Sequence, residues 1–417
     1  MSIKEIGFLT PLEVTLKICR GARGGLLTGF ITILLLGCAT TPAKNEISKA
    51  YTHYTWGLLY ENEDDLARAI EEYKQALTYD PSSPSIHLRL GIDYIWKGEY
   101  NKAIKELELA LKSKPEDAYT RFLLALLYTS QKASKQAIKQ YKQIIQLESE
   151  GFKDSPFVFY NLGVIYLRTG KFNLALENFK KAIELRPQNA ELHFVLGLAY
   201  LNIKNYPQAL ENFKLAVQLS ELKFISDISP LRKLPPDKSE SEYISSARGW
   251  SNALAELSNG IYYFYLGVVY DKIGEEEKAA ENFKKAIILN PNNHSAYNYL
   301  GYMFAEQGIN LDEAERLIKK AIEIEPEQGA YADSLGWVYY KKSLKLSGQE
   351  AKEMLEKALK EINRAIELMG DDPVVRDHLG DVYFQKGLLK RAKEEWRKSL
   401  RLDPKNKKVK KKLEKVK

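Results

Sequence analysis

Cysteine and histidine offer this chain its widest chemistry, and both are used sparingly. Of 417 residues, two are cysteine and five are histidine. Cys19 and Cys38 both precede residue 40, so nothing downstream can form a disulfide or a thiolate zinc site. His53, His87 and His193 fall at the same place in a repeating pattern, which gives them packing work rather than metal binding. His294 and His378 are scattered elsewhere. The chain has no HExxH, no Cys/His pair and no carboxylate pair with supporting residues, and neither a GxxxxGK(S/T) loop nor a GxGxxG turn. These absences argue against a metalloenzyme, a nucleotide-binding domain or any bound cofactor. The one group whose surroundings call for chemistry is the Cys38 thiol.

Residues 24–37, "GGLLTGFITILLLG", carry no charge and follow Lys17, Arg20 and Arg23. A membrane-spanning helix needs roughly 20 apolar residues, whereas the apolar core of a secretory signal peptide needs about 7 to 15. The length favours a signal peptide over 1–37. Leu35, Leu36 and Gly37 before Cys38 resemble the lipobox of bacterial lipoproteins. That resemblance implies a diacylglycerol on the Cys38 sulfur, cleavage before it and a mature N-terminus carrying three acyl chains. One chain gives marginal membrane residence, but two or more, at about 0.8 kcal/mol per buried CH₂, hold a protein almost permanently. An uncleaved N-terminal anchor is the alternative, because the basic region of some 23 residues is long. Ala39 and Thr40 follow the cysteine with no Asp; by analogy with Gram-negative lipoproteins this implies the outer membrane, facing the periplasm. Residues 38–49 read as the lipidated cysteine and a polar tether.

From residue 50 the chain repeats. Aligning "WGLLYENEDDLARAIEEYKQALTYDP" (56–81), "LGIDYIWKGEYNKAIKELELALKSKP" (90–115) and "LGVIYLRTGKFNLALENFKKAIELRP" (162–187) superposes Gly57, Gly91 and Gly163. Tyr60, Tyr94 and Tyr166 follow, then Ala69, Ala103 and Ala175, and finally Pro81, Pro115 and Pro187. Each unit holds two stretches with the three-and-four apolar spacing of an amphipathic helix, joined by a polar turn. The glycines and alanines let the paired helices approach closely, and large residues such as Tyr73 fill the gaps. The pattern resembles the tetratricopeptide repeat (TPR) family, whose unit is a pair of antiparallel helices. The resemblance implies an all-α, right-handed α-solenoid that mediates protein–protein interaction.

Nine repeats follow, at 50–83, 84–117, 118–151, 156–189, 190–223, 260–293, 294–328, 329–372 and 373–406. The third has Ala125 where Gly is usual, the seventh exceeds the period by one residue, and the eighth carries about ten extra residues around "SLKLSGQEAK". The last three also resemble a group of bacterial TPR lipoproteins. This gives an N-terminal array over 50–223, an insertion over 224–259 and a C-terminal array over 260–406. The insertion opens Pro-rich and ends in an amphipathic stretch bearing Tyr243, Trp250, Leu254 and Leu257. It reads as a packed spacer, with a partner-binding flap as the alternative.

The concave face of such an array is lined by positions 2, 5, 9, 12 and 13 of each first helix. Those positions place Tyr51, Tyr54, Leu58, Leu88, Ile92, Tyr119, Phe122, Phe157, Tyr160, Val164, Phe194, Leu198 and Phe264 in the first six repeats, and Trp337 in the eighth. Beside Trp337 the last three repeats add Tyr302, Tyr340, Asn298, Glu306, Asp333, Asp377 and Asp381. This suits a peptide groove, aromatic at one end and acidic at the other; burial of the face against itself is the alternative for the first six repeats. The Lys/Asn clamp of chaperone-binding TPR domains is missing at Tyr54 and Leu58. The net charge is +7, yet the last thirteen residues alone hold eight Lys and one Glu. The nearly neutral body offers no footprint for nucleic acid. In the tail, residues 407–417, Val409, Leu413 and Val416 share a stripe, which reads as a capping helix; an anionic membrane or glycan surface is the alternative partner. The expected molecule is a membrane-anchored, extracytoplasmic scaffold for envelope proteins, with no small-molecule substrate.

Overall fold

A computed structural model describes residues 42–147, 155–228 and 260–416. Nineteen helices and no strands occur among the described residues. Two compact units divide the chain, residues 1–203 and 204–417.

In the first unit the helices are α1 (Pro42–Asn62), α2 (Leu66–Tyr79), α3 (Pro84–Trp96), α4 (Tyr100–Ser113), α5 (Ala118–Ser130), α6 (Ser134–Gln146), α7 (Pro156–Arg168), α8 (Phe172–Leu185) and α9 (Ala190–Asn202). The second unit holds α10 (Tyr206–Ile228), α11 (260–272), α12 (Glu276–Leu289), α13 (His294–Gln307), α14 (Leu311–Ile324), α15 (Gly329–Ser343), α16 (Gly348–Met369), α17 (Pro373–Gln385), α18 (Leu389–Leu402) and α19 (Lys407–Lys415). Every repeat boundary expected from residue 84 onward falls on the first residue of a helix. Pro opens α3, α7 and α17, where its missing N–H leaves nothing unpaired.

The hairpins close as the glycine columns require. A Cβ at Gly91 would lie 2.9 Å from Leu107, and one at Gly267 would lie 2.7 Å from Phe283, on the paired helix of each repeat. Tyr73, Phe179, Phe283 and Trp396 are nearly or wholly buried behind such glycines. Ala125 stands in the same column and is itself fully buried. The turn of the third repeat puts Lys132 at φ 59°, where the second has Gly98 at φ 78°.

Three expectations need correction. Residues 42–49, read as part of a tether, belong to α1, because Pro42 starts a helix that runs unbroken into the first repeat. The division between units falls at 203/204, inside the fifth repeat, rather than in the insertion. The helix α10 also runs to Ile228, past the expected end of the array at 223. The remainder of the insertion, with Tyr243, Trp250, Leu254 and Leu257, lies outside the described residues. In the eighth repeat the extra residues form the end of α15, a turn and the first turn of a lengthened α16.

Candidate interaction site

Histidine position four is explained by the repeat itself. His53 Nδ1 lies 2.7 Å from Glu72, and 34 residues later His87 Nδ1 lies 2.7 Å from Glu106. Where the third repeat has Arg121, its guanidinium donates to Gln140 at 2.9 Å; in the ninth, Arg376 donates to Glu395 at 2.8 Å. The same side chains reach back to the preceding turn. The Pro81 carbonyl lies 3.0 Å from His87 Nε2, the Pro187 carbonyl 2.9 Å from His193 Nε2, and the Pro115 carbonyl accepts from Arg121. These contacts tie one helix pair to the end of the previous one.

The aromatic end of the expected groove is partly filled. Ile92, Phe122, Phe194 and Phe264 are buried, and Trp337 is 7% exposed. Phe122 packs edge-on against buried Tyr141 at 6.1 Å, and Phe264 lies within 6 Å of the rings of Tyr265, Phe283 and Tyr299. Large side chains at these positions meet the neighbouring helices before they reach solvent. Tyr54, Leu58 and Tyr160 remain half-buried; the Tyr160 hydroxyl donates to Glu191 at 2.8 Å. Tyr51 and Phe157, at position 2 of their first helices, are exposed, and Leu88, Tyr119 and Val164 are half-buried, so the apolar groove is narrowed rather than closed. Cys38 and the lipobox residues Leu35, Leu36 and Gly37 lie outside the described residues.

The second unit does assemble the acidic end. His378 on α17 places Nδ1 at 3.0 and 2.9 Å from the two oxygens of Asp333 on α15, and both residues are buried. The imidazole stacks on Trp337 at 4.0 Å, and Trp337 stacks on Tyr340 at 4.8 Å. Trp337 Nε1 donates to Glu306 of α13, and the Tyr302 ring approaches His378 at 6.5 Å. Burial alone disfavours the His378 imidazolium. The charge and hydrogen bond of Asp333, with Asp377 and Asp381 beyond, outweigh it and raise the pKa above 6.5. Tyr340, half-buried and near the charges of Asp381 and Asp377, is pushed up to about 12, chiefly by desolvation.

The tail completes this cluster. Val409 on α19 is fully buried against Trp396 and Ala392, with Leu413 and Val416 packed beside it. That seats Lys412, whose ammonium donates to Asp377 at 2.7 Å and Asp381 at 2.6 Å. The Trp396 indole donates to the other Asp381 oxygen at 3.1 Å. Burial pushes the Asp381 carboxyl up even with Lys412 against it. The capping role expected for residues 407–417 is thus visible, while Lys407, Lys408, Lys410, Lys411 and Lys415 stay exposed.

Sequence reasoning placed Asp333, Trp337, Asp377 and Asp381 on one face but missed the centre of the cluster. His378 sits one residue beyond a concave position, and only the third dimension turns it toward Asp333. Lys412 had a legible signal: it adjoins Leu413 on the apolar stripe of the tail. The chemistry available here is that of recognition. Carboxylates, indoles and phenols lie close together, and no group of three or more potential metal ligands occurs among the described residues.

Family models for the tetratricopeptide repeat match residues 62–127, 163–204, 190–221, 260–293, 282–316 and 375–406. The chain belongs to the tetratricopeptide repeat family. Among curated proteins it is similar to tetratricopeptide repeat protein 37 of Xenopus laevis, 26% identical over 68% of this chain and 19% of that one. It also resembles the TPR repeat-containing protein MJ1428 of Methanocaldococcus jannaschii, 23% identical over 62% and 35%. The chain thus spans about a third or less of these relatives. Among solved structures, MamA is 24% identical over 49% of this TPR chain and 95% of MamA, at TM-score 0.37. YrrB, described as a TPR protein with an unusual peptide-binding site, is 20% identical over 56% and 95%, at TM-score 0.36.

Proposed function

We propose that this TPR scaffold works outside the cytoplasm, held on a bacterial membrane by lipid on Cys38, where it gathers protein partners of the cell envelope and performs no catalysis itself. The observation that carries the reading is the join between Leu35-Leu36-Gly37-Cys38 and the array. Only residues 39–41 separate the lipobox-like cysteine from the first helix. A pilus or secretion accessory protein, a regulator of cell-wall enzymes and an assembly factor for outer-membrane or polysaccharide machinery all fit such a scaffold. The half-buried Tyr302, Tyr340 and Asp377 at the rim of the Trp337 cluster, and the half-buried Tyr54, Leu58 and Tyr160, are the surfaces it offers to partners.

The test of anchoring is Cys38→Ser, which should move the protein from the membrane to the soluble fraction of native cells. Retention of the variant in alkali-washed membranes would favour the uncleaved anchor instead. Crosslinking in native cells followed by mass spectrometry should then recover envelope proteins, and recovery of cytoplasmic proteins alone would sink the reading. The exposed lysines of α19 favour a second one, contact with an anionic lipid or glycan surface. Replacing Lys407, Lys408, Lys410, Lys411 and Lys415 together by Gln should abolish binding to anionic vesicles or glycan under that reading and leave protein-partner capture intact under the first.

A further inference from the structure

The helix α1 carries two faces in strict helical register. Ala50, His53, Tyr54, Gly57 and Glu61 turn inward and are buried or half-buried. Ser48, Tyr51, Thr52, Thr55, Trp56, Leu59 and Asn62 turn the other way, and every one is exposed without a charge among them. Tyr51 is 48%, Trp56 50% and Leu59 47% exposed, with Ile47 at 65% one turn earlier. Thirty-four residues later, the same register on α3 reads Ile86, Leu90 and Asp93 in place of Thr52, Trp56 and Leu59, all buried in the repeat stack. The line of Thr52, Trp56 and Leu59 on α1 therefore stands where a preceding repeat would pack, and no described helix packs there; Tyr51 borders that line, and its counterpart Ser85 is exposed on α3 too.

We infer that this face rests on the lipid surface to which the chain is anchored, with Trp56, Tyr51 and Leu59 entering the interfacial layer. The inference rests on the anchoring reading above and adds an orientation to it. Three observations select lipid as the occupant. First, the chain between Cys38 and Pro42 can span at most about 14 Å, at roughly 3.3–3.6 Å per residue, so α1 cannot stray from an anchored cysteine. Second, tryptophan and tyrosine flanked by hydroxyls and aliphatics, without charge, are the side chains that settle at a membrane–water boundary, ring in the apolar layer and polar edge in water. Third, the exposed face of α19 carries Lys407, Lys408, Lys410, Lys411 and Lys415, so that helix of a second copy offers no apolar match for this one. No described helix is long and apolar enough to cross a membrane, so α1 would lie on the surface rather than through it.

The test uses the full-length chain, extracted with its native N-terminus and reconstituted into phosphatidylcholine/phosphatidylglycerol vesicles with or without brominated acyl chains. The chain has five tryptophans, so the readout is the difference between wild type and Trp56→Phe. Bromine should quench the wild-type emission, and Trp56→Phe should remove at least half of that quenching while floating with the vesicles equally well. Leu59→Glu, an exposed change that leaves the inner face untouched, should reduce the quenching too. Protein that floats while Trp56 stays open to aqueous iodide and untouched by bromine would overturn the inference and leave the anchor standing. Protein that fails to float would remove both. Shielding of Trp56 that persists without vesicles, in a species of dimeric mass, would assign the face to a second copy and also overturn the inference.

Discussion

Phe122 and Tyr160 occupy the same position of consecutive repeats, the third and the fourth, yet they do different work. Phe122 is 3% exposed against Tyr141, whereas Tyr160 is half-buried with its hydroxyl on Glu191. Phe122→Ala should cost about 3–5 kcal/mol, the range for emptying a large core site. The hydrogen bond that Tyr160→Phe removes is worth only about 1 kcal/mol. Urea midpoints of the two variants, read by circular dichroism, should separate them, and equal midpoints would return Phe122 to the groove. His378 makes the second prediction at this scale. Its folded pKa lies above the ordinary 6.5, so its contribution is fully present below that value and fades as pH rises through the raised one. His378→Gln should flatten this alkaline limb of the stability curve. Below it the variant should lose about 3–5 kcal/mol, because Asp333 is left buried without its partner. A position in a repeat could be read from the sequence, but its burial could not, because neighbours from other repeats decide it.

Helices were the most legible scale. Amphipathic spacing, the glycine columns and the opening prolines placed the start of the first helix of every repeat from residue 84 onward, since each of these signals is local to one hairpin. What escaped was continuation. Nothing in "PAKNEISKA" marks a polar stretch as helix until the packed residues after it hold the helix in place. Gly267→Ala should cost about 1–3 kcal/mol, because its new methyl would have to displace the Phe283 ring across the hairpin. Thermal unfolding followed by circular dichroism checks it, and an unchanged midpoint would mean that the two helices can separate freely. Deleting residues 405–417 should bare Trp396 and leave Asp377 and Asp381 without Lys412. Amide hydrogen exchange in α17 and α18 should then speed up, while α13 and α14 keep their protection.

A chain of stacked hairpins is stabilised chiefly between neighbours, so damage should stay local. With compact units at 1–203 and 204–417, Phe122→Ala should loosen amide protection in α5 and α6 and leave α17 unchanged. Loss of protection throughout would mean that the chain unfolds as a single cooperative block. The array and its interaction role were legible at this scale because a period of 34 residues repeats the same signal many times. The boundary between units was not, because it falls within one ordinary-looking repeat.

The pairs at position four have a bearing on how such a chain can change over time. His53–Glu72, His87–Glu106, Arg121–Gln140 and Arg376–Glu395 each join two residues of one repeat, 19 apart. A duplicated or transplanted repeat would bring both partners of such a pair along, whereas the buried Glu61 is held by Arg89 of the next repeat and would be stranded by its loss. His378–Asp333, Trp337–Glu306 and Lys412–Asp377 also join separate repeats and meet in one cluster. Exchanging any one of the last three repeats or the terminal helix would therefore break contacts of that cluster, so this end of the molecule is expected to pass from ancestor to descendant as one block.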